Sequence, residues 1–265
     1  MTETTPSQAL ATAPHPALPA YYQGTDGRAA FVRQLFDDTA AHYDRINRVF
    51  SLGTGAWYRR DALRRGGLAP GMTVLDIATG TGLVAREAAR LTGPGGFVYG
   101  LDPSGGMLAE ARRALSATPA PHALLRGRAE AIPLPDASVD FISMGYALRH
   151  VADLNATFAE YRRVLRPEGR LLLLEIGRPE GRVAHALARA YLGHVVPALC
   201  RLTAPRARSG TLMQYYWDTI EACVPAEAIL GQLQRVGLDD VRCDTSVGVF
   251  RAYAARRPDG SLTRD

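Results

Sequence analysis

The sequence predicts an α/β protein built on a doubly wound, mostly parallel sheet, with a helical lid before the sheet and an antiparallel strand at its end. Three observations predict it. From Gly71 onward, short apolar runs alternate with segments of helical periodicity, the order that parallel βαβ units require. A glycine loop, Gly80-Thr81-Gly82, follows the first apolar run, where open α/β sheets bind their ligands. The last two apolar runs are separated only by Ser246-Val247-Gly248, a turn that favours an antiparallel pair.

Two helical segments, at about 28–43 and 56–65, come first and have no place in the sheet, so they are expected to cover its mouth. Strands are expected at 72–77, 97–101, 123–126, 139–144 and 170–176, with helices at 83–91, 105–115 and 154–165. An apolar helical pattern over 183–202 is interrupted by His185, Arg189, His194 and Arg201. One apolar face suits either the domain's own core or a membrane surface or lipid tail. Helices at 209–223 and 226–236 and strands at 241–245 and 249–254 follow. Residues 28–257 are expected to form one domain, with flexible tails at 1–27 and 258–265. The N-terminal stretch, rich in Thr, Pro and Ala, lacks the basic start and apolar run of a signal peptide.

No apolar run reaches the ~18 residues of a membrane span. The net charge of +5 comes entirely from arginine, because the chain has no lysine. Those arginines are dispersed, without the basic block or appended module of a nucleic-acid enzyme. Cys200, Cys223 and Cys243 are widely spaced and suit a reduced cytoplasmic protein. No metal site is expected, since the histidines are scattered.

Gly80-Thr81-Gly82-Leu83-Val84-Ala85 matches the dinucleotide pattern G-x-G-x-x-G/A, and Asp102 follows about 20 residues later. A nicotinamide oxidoreductase therefore competes. Asp76, four positions before Gly80, decides against it, because a carboxylate beside this turn opposes a pyrophosphate. It would instead attract the ammonium and sulfonium of S-adenosylmethionine. Asp102, ending the second strand, can accept both ribose hydroxyls of either cofactor. The pattern as a whole is Rossmann-like.

Four further segments carry a resemblance: 36–57 (FDDTAAHYDRINRVFSLGTGAW), 74–83 (VLDIATGTGL), 128–140 (RAEAIPLPDASVD) with Tyr146-Ala147-Leu148-Arg149-His150, and 163–175 (RVLRPEGRLLLLE). In these the chain resembles the ubiquinone/menaquinone C-methyltransferase family, from about Phe36 to the C-terminus. The resemblance implies the class I methyltransferase fold, S-adenosyl-L-methionine as cofactor, and cofactor contacts at Thr81, Asp102, Arg128, Ala129 and Gly145 beside Asp76, Gly80 and Gly82. Tyr43-Asp44-x-x-Asn47 followed by Ser51 is similar to the family's N-terminal signature. The chain departs from the family at Gly55 (usually His or Gln), His150 (Asn), Glu168 (Gly), Gly177 (Ser) and through 209–225.

The implied reaction is methyl transfer to a carbon of a prenylated quinol or similar apolar small molecule. An alternative is C- or O-methylation of an isoprenoid or specialised metabolite. His150 is the first candidate base, since an ordinary histidine accepts a proton near neutrality. Arg149, to which the resemblance also points, cannot act as a base but can stabilise a phenolate. Tyr43, Asn47, Tyr146 and Tyr215 are the expected acceptor contacts, although Tyr43, Asp44 and Asn47 could equally clip the lid to the core. Of the aromatic run Tyr215-Tyr216-Trp217, at most two residues can line a pocket. The expected partner is an apolar acceptor and not nucleic acid; peripheral membrane contact and homo-oligomerisation stay open.

Overall fold

The computed structural model describes residues 13–22, 26–51, 53–179, 181–198 and 209–259. Two helices lead, α1 (Asp26–Phe50) and α2 (Gly55–Arg65). The alternating units follow as β1 (Thr73–Ile77), α3 (Leu83–Thr92), β2 (Phe97–Asp102), α4 (Gly105–Leu115), β3 (His122–Arg126), β4 (Val139–Gly145), α5 (Leu154–Val164) and β5 (Leu165–Ile176). Next comes α6 (Arg182–Ala190), which runs into a single π-helical segment at Tyr191–Val195. The chain closes with α7 (Ser209–Ala222), α8 (Ala226–Arg235), β6 (Asp239–Ser246) and β7 (Phe250–Arg256). Part of the helix expected at 183–202, together with Cys200, lies outside the described residues.

The seven strands lie in the order β3, β2, β1, β4, β5, β7, β6. The first five are parallel, and β7 inserts antiparallel between β5 and β6. The order reverses between β1 and β4, which opens a crevice at their carboxyl ends. Strand β5 shows why the sheet is buried on both faces: Leu171 and Leu173 pack into one apolar cluster, Leu172 and Leu174 into the other. Period-two alternation sends successive side chains to opposite faces, and each buried leucine contributes about 2 kcal/mol. Near the start of β5, Glu168 turns the chain with φ +65°. That backbone favours the glycine usual in the family; here Glu168 is held by its N–H to the Arg257 carbonyl and by a 2.5 Å pair with Arg256.

A third apolar cluster caps the crevice, joining Tyr22, Leu35, Val196, Leu212, Met213, Tyr215 and Tyr216. Residues 13–22, expected to belong to the N-terminal tail, are part of this cap. His15 is buried and accepts from Arg28 Nη2 (2.8 Å), and the Pro14 carbonyl accepts from Val224 N–H (2.9 Å). Proline- and alanine-rich composition disfavours regular secondary structure, but a histidine and two tyrosines still provide anchors. No helix among the described residues is long and apolar enough to cross a membrane.

Candidate active site

The glycine loop is braced from behind. Gly80 and Gly82 have φ +56° and +80°, left-handed conformations that glycine adopts without steric cost. Gly82, which precedes α3, offers the helix no side-chain cap. The cap comes from β1 instead: Asp76 Oδ2 accepts from Ala85 N (3.1 Å) and Thr79 Oγ1 (2.7 Å), and Oδ1 accepts from Ser143 Oγ (2.6 Å). Asp76 therefore shapes the loop directly. Its carboxylate is buried behind the loop, where it positions the loop. It also disfavours a dinucleotide, because it supplies negative charge to the helix N-terminus that would bind a pyrophosphate.

Helix α1 is fastened across the crevice by two carboxylates. Asp44 Oδ1 accepts from Thr81 Oγ1 (2.6 Å), while Asp37 Oδ1 accepts from Ser104 Oγ (2.5 Å) and Gly106 N (3.0 Å). Thr81 thus ties the glycine loop to the lid. The lid reading of Asp44 in the N-terminal signature is the one that the geometry bears out, and Asp37 is a lid residue that sequence reasoning missed.

Between lid and sheet lies a cavity of about 410 Å³, within the range of small-molecule sites. Gly80, Asp102, Arg128, Ala129 and Gly145 line it, all expected cofactor contacts. Asp102 uses one lone pair on each oxygen, accepting from Ser104 N (2.8 Å) and Gly80 N (2.8 Å). A carboxylate offers about four acceptor sites, so one on each oxygen is left for a pair of hydroxyls. Burial pushes the Asp102 carboxyl up to about 6, against the pull of the two N–H donors. The apolar Leu101, Met107 and Ala129 form a slot beside it. A diol acceptor next to an apolar slot suits an adenosine, and the residues present therefore fit S-adenosylmethionine.

A second cavity, of about 530 Å³, opens between α1, α2, α7 and the β6–β7 turn. Its lining includes Asn47, Tyr58, Arg59, Leu212, Met213 and Phe250, with Trp57 (70% exposed) and Val247 (88% exposed) at the mouth. Tyr43, Tyr146 and Tyr216 line both cavities. Tyr43 and Tyr216 are hydrogen-bonded, oxygen to oxygen, at 2.8 Å. Desolvation raises Tyr43 and Tyr146 above the ordinary phenol value, so both stay neutral near pH ~7. The two cavities thus meet at a junction walled by phenol rings. Of the four expected acceptor residues, Tyr43, Asn47 and Tyr146 come together here.

Tyr215 does not. It points into the cap, stacked against His150 and edge-on to Phe31 and Tyr21, and Tyr216 takes the place expected of it. Helix residues one apart point about 100° away from each other, and the docking of α7 on α1 selects between them.

The expected catalytic pair is also redistributed. His150 lines the cofactor cavity but is caged by Phe36, Tyr215 and Tyr216, with neither ring nitrogen hydrogen-bonded. Burial, reinforced by Arg149 and Arg28, holds it well below the usual histidine range. It is a neutral ring and a poor base. Arg149 is fully buried and lines neither cavity. Its Nη1 donates to Glu175 Oε2 (2.5 Å), and its guanidinium lies 4.4 Å from the centre of the Tyr216 ring. Its Nε and Nη2 are buried without a hydrogen-bond partner.

The comparisons with known proteins agree with this geometry. The profile described as the ubiE/COQ5 methyltransferase family matches residues 24–255. The chain is 36% identical over 229 residues to the "Ubiquinone/menaquinone biosynthesis C-methyltransferase UbiE" of Geobacter sulfurreducens, covering 85% of this chain and 88% of that one. With the enzyme of the same name from Hahella chejuensis it shares 32% over 217 residues, 80% and 84% of the two chains. A crystal structure of a SAM dependent methyltransferase from Aquifex aeolicus shares the fold, with a TM-score of 0.56 and 20% identity over 80% of this chain and 97% of that one. A braced glycine loop, a diol acceptor at the end of β2 and a profile match across the whole domain lead to one conclusion: the chain belongs to the ubiE/COQ5 methyltransferase family and is an S-adenosylmethionine-dependent methyltransferase.

Proposed function

We propose that this enzyme methylates a ring carbon of a prenylated quinol or a closely similar apolar acceptor. The observation that carries the reading is the largely apolar 530 Å³ cavity meeting the cofactor cavity at Tyr43, Tyr146 and Tyr216. The names of the relatives from Geobacter sulfurreducens and Hahella chejuensis, both quinone-biosynthesis C-methyltransferases, support it. S-adenosylmethionine, when bound, supplies a methyl group on a cationic sulfur that leaves with the bonding electron pair.

The protein's own part is positional. Holding two reactants in line replaces a bimolecular encounter with an effectively unimolecular step. The three tyrosines wall the junction where the two reactants would meet. No side chain lining the junction is a strong base, so the acceptor's hydroxyl proton leaves to solvent through the mouth; after methyl transfer the methylated ring carbon loses its proton and the oxygen regains one, which restores the aromatic ring and the hydroxyl.

An isoprenoid tail would leave by the same mouth, past Trp57 and Val247, whose exposure supports contact with a membrane surface. Each methylene that becomes buried contributes about 0.8 kcal/mol. Removing the tail from an accepted quinol is therefore expected to raise KM at least about tenfold, the equivalent of two buried methylenes. Steady-state kinetics on a tail-length series checks this. Unchanged kinetics for the tail-less quinol would reject the prenyl reading and favour a compact metabolite.

A further inference from the structure

We propose that Arg59 forms an oxyanion subsite in the acceptor cavity, holding the phenolate oxygen next to the carbon that is methylated. This deepens the reading above and rests on it.

Arg59 is 5% exposed and lines the acceptor cavity, not the cofactor cavity. Its Nη2 donates to Asn47 Oδ1 (2.7 Å), and its guanidinium stands 5.7 Å from the centre of the Tyr146 ring. Nε is buried without a hydrogen-bond partner. Among the described residues no carboxylate forms an ion pair with it: Asp61, the acidic residue lining the same cavity, pairs at 2.9 Å with Arg65. The other titratable side chains lining the cavity with Arg59 are Arg65 and the phenols of Tyr43, Tyr58, Tyr146 and Tyr216, so none of them is a carboxylate. A buried guanidinium is ordinarily paired. The missing anion is thus one that the acceptor brings.

The location specifies which anion. Tyr146 belongs to the junction, so an oxygen held beside it is adjacent to the reacting carbon. In a phenolate the charge is shared between that oxygen and the ring carbon ortho or para to it, which is the nucleophile of a carbon methylation. A carboxylate would leave the ring carbon unactivated.

Gly55 gives the second, independent sign. A Cβ there would sit 2.8 Å from Arg59 Nη1 and 3.0 Å from Ser51 Oγ. The absence of a side chain at position 55, where the family usually carries His or Gln, leaves the space in which the guanidinium lies.

The test uses para-nitrophenol, whose phenolate is coloured, titrated with the full-length protein saturated with S-adenosylhomocysteine. The optical readout needs no turnover. The wild type is expected to bind it with an apparent pKa lowered by about one unit or more, the usual effect of a cation at close range. Arg59→Gln is expected to abolish most of that shift and weaken phenolate binding about tenfold, with S-adenosylhomocysteine affinity unchanged; Arg59→Lys is expected to retain part of both. Should Arg59→Gln fail to fold, Gly55→Ala, which keeps the charge but crowds the guanidinium, must reduce the shift. Wild-type pKa and affinity in Arg59→Gln, or in Gly55→Ala where it has to stand in, would overturn the proposal. A shift in the wild type without methyl transfer to any quinol would keep the subsite and reject the quinol reading.

Discussion

Asp102→Ala is expected to weaken S-adenosylhomocysteine binding by about 100-fold or more, with the fold intact. Hydrogen bonds to a charged acceptor are worth about 1.5–3 kcal/mol each, and 1.4 kcal/mol is a factor of ten. The N–H groups of Gly80 and Ser104 depend on this carboxylate, and its two remaining acceptor sites are the ones we propose for the ribose hydroxyls. Calorimetric titration measures the loss, and a change below about threefold would remove Asp102 from the cofactor site.

The same carboxylate sets a pH dependence. Asp102 and Asp76 are both raised by burial from 3.8 to about 6. In this window the folded chain binds protons more tightly than the unfolded chain, so these two groups contribute stability at low pH that is lost as pH rises through about 6. Ligand binding goes the other way. It needs the ionised Asp102, so affinity is expected to fall as pH drops below about 6 while the apo domain is held by these two carboxyls.

Arg149→Met is expected to destabilise the domain by about 3–5 kcal/mol, because it leaves Glu175 as an uncompensated buried charge. Glu175 also accepts from Leu148 N–H, and burial already raises its carboxyl. For a domain of this size the loss lowers Tm by roughly 10 °C, which calorimetry reads directly. Adding Glu175→Leu to Arg149→Met should recover most of it, since an apolar replacement of a buried pair is often neutral. A single-variant loss under about 1 kcal/mol would mean that the pair is not buried as described.

Local rules made much of this enzyme legible. Strands such as VLDI and LLLLEI cannot bury both faces except within a sandwiched parallel sheet, and the glycine loop could only bend as it does after β1. Strand-end residues that line the cavity between lid and sheet, Asp102 and Gly145 among them, were readable for the same reason. Residues whose role depends on docking were not. The hydrogen bonds of Asp76 to the start of α3 and of Thr81 to the lid helix α1 could not be read from the sequence. Tyr215 and Tyr216 differ only by the rotation of α7, and Arg149 and His150 by which way one short 3₁₀ turn faces. Arg59 sits two residues after the recognisable tryptophan of the N-terminal signature, yet only the cavity shows that it lacks a carboxylate.

The most direct test of carbon methylation is to supply S-adenosylmethionine labelled with carbon-13 in the methyl group, together with a demethylated prenyl quinol, and to read the product by NMR. The account predicts a label bonded to a ring carbon, with both hydroxyls free. A label on oxygen, or transfer only to acceptors that lack an ionisable hydroxyl, would contradict it.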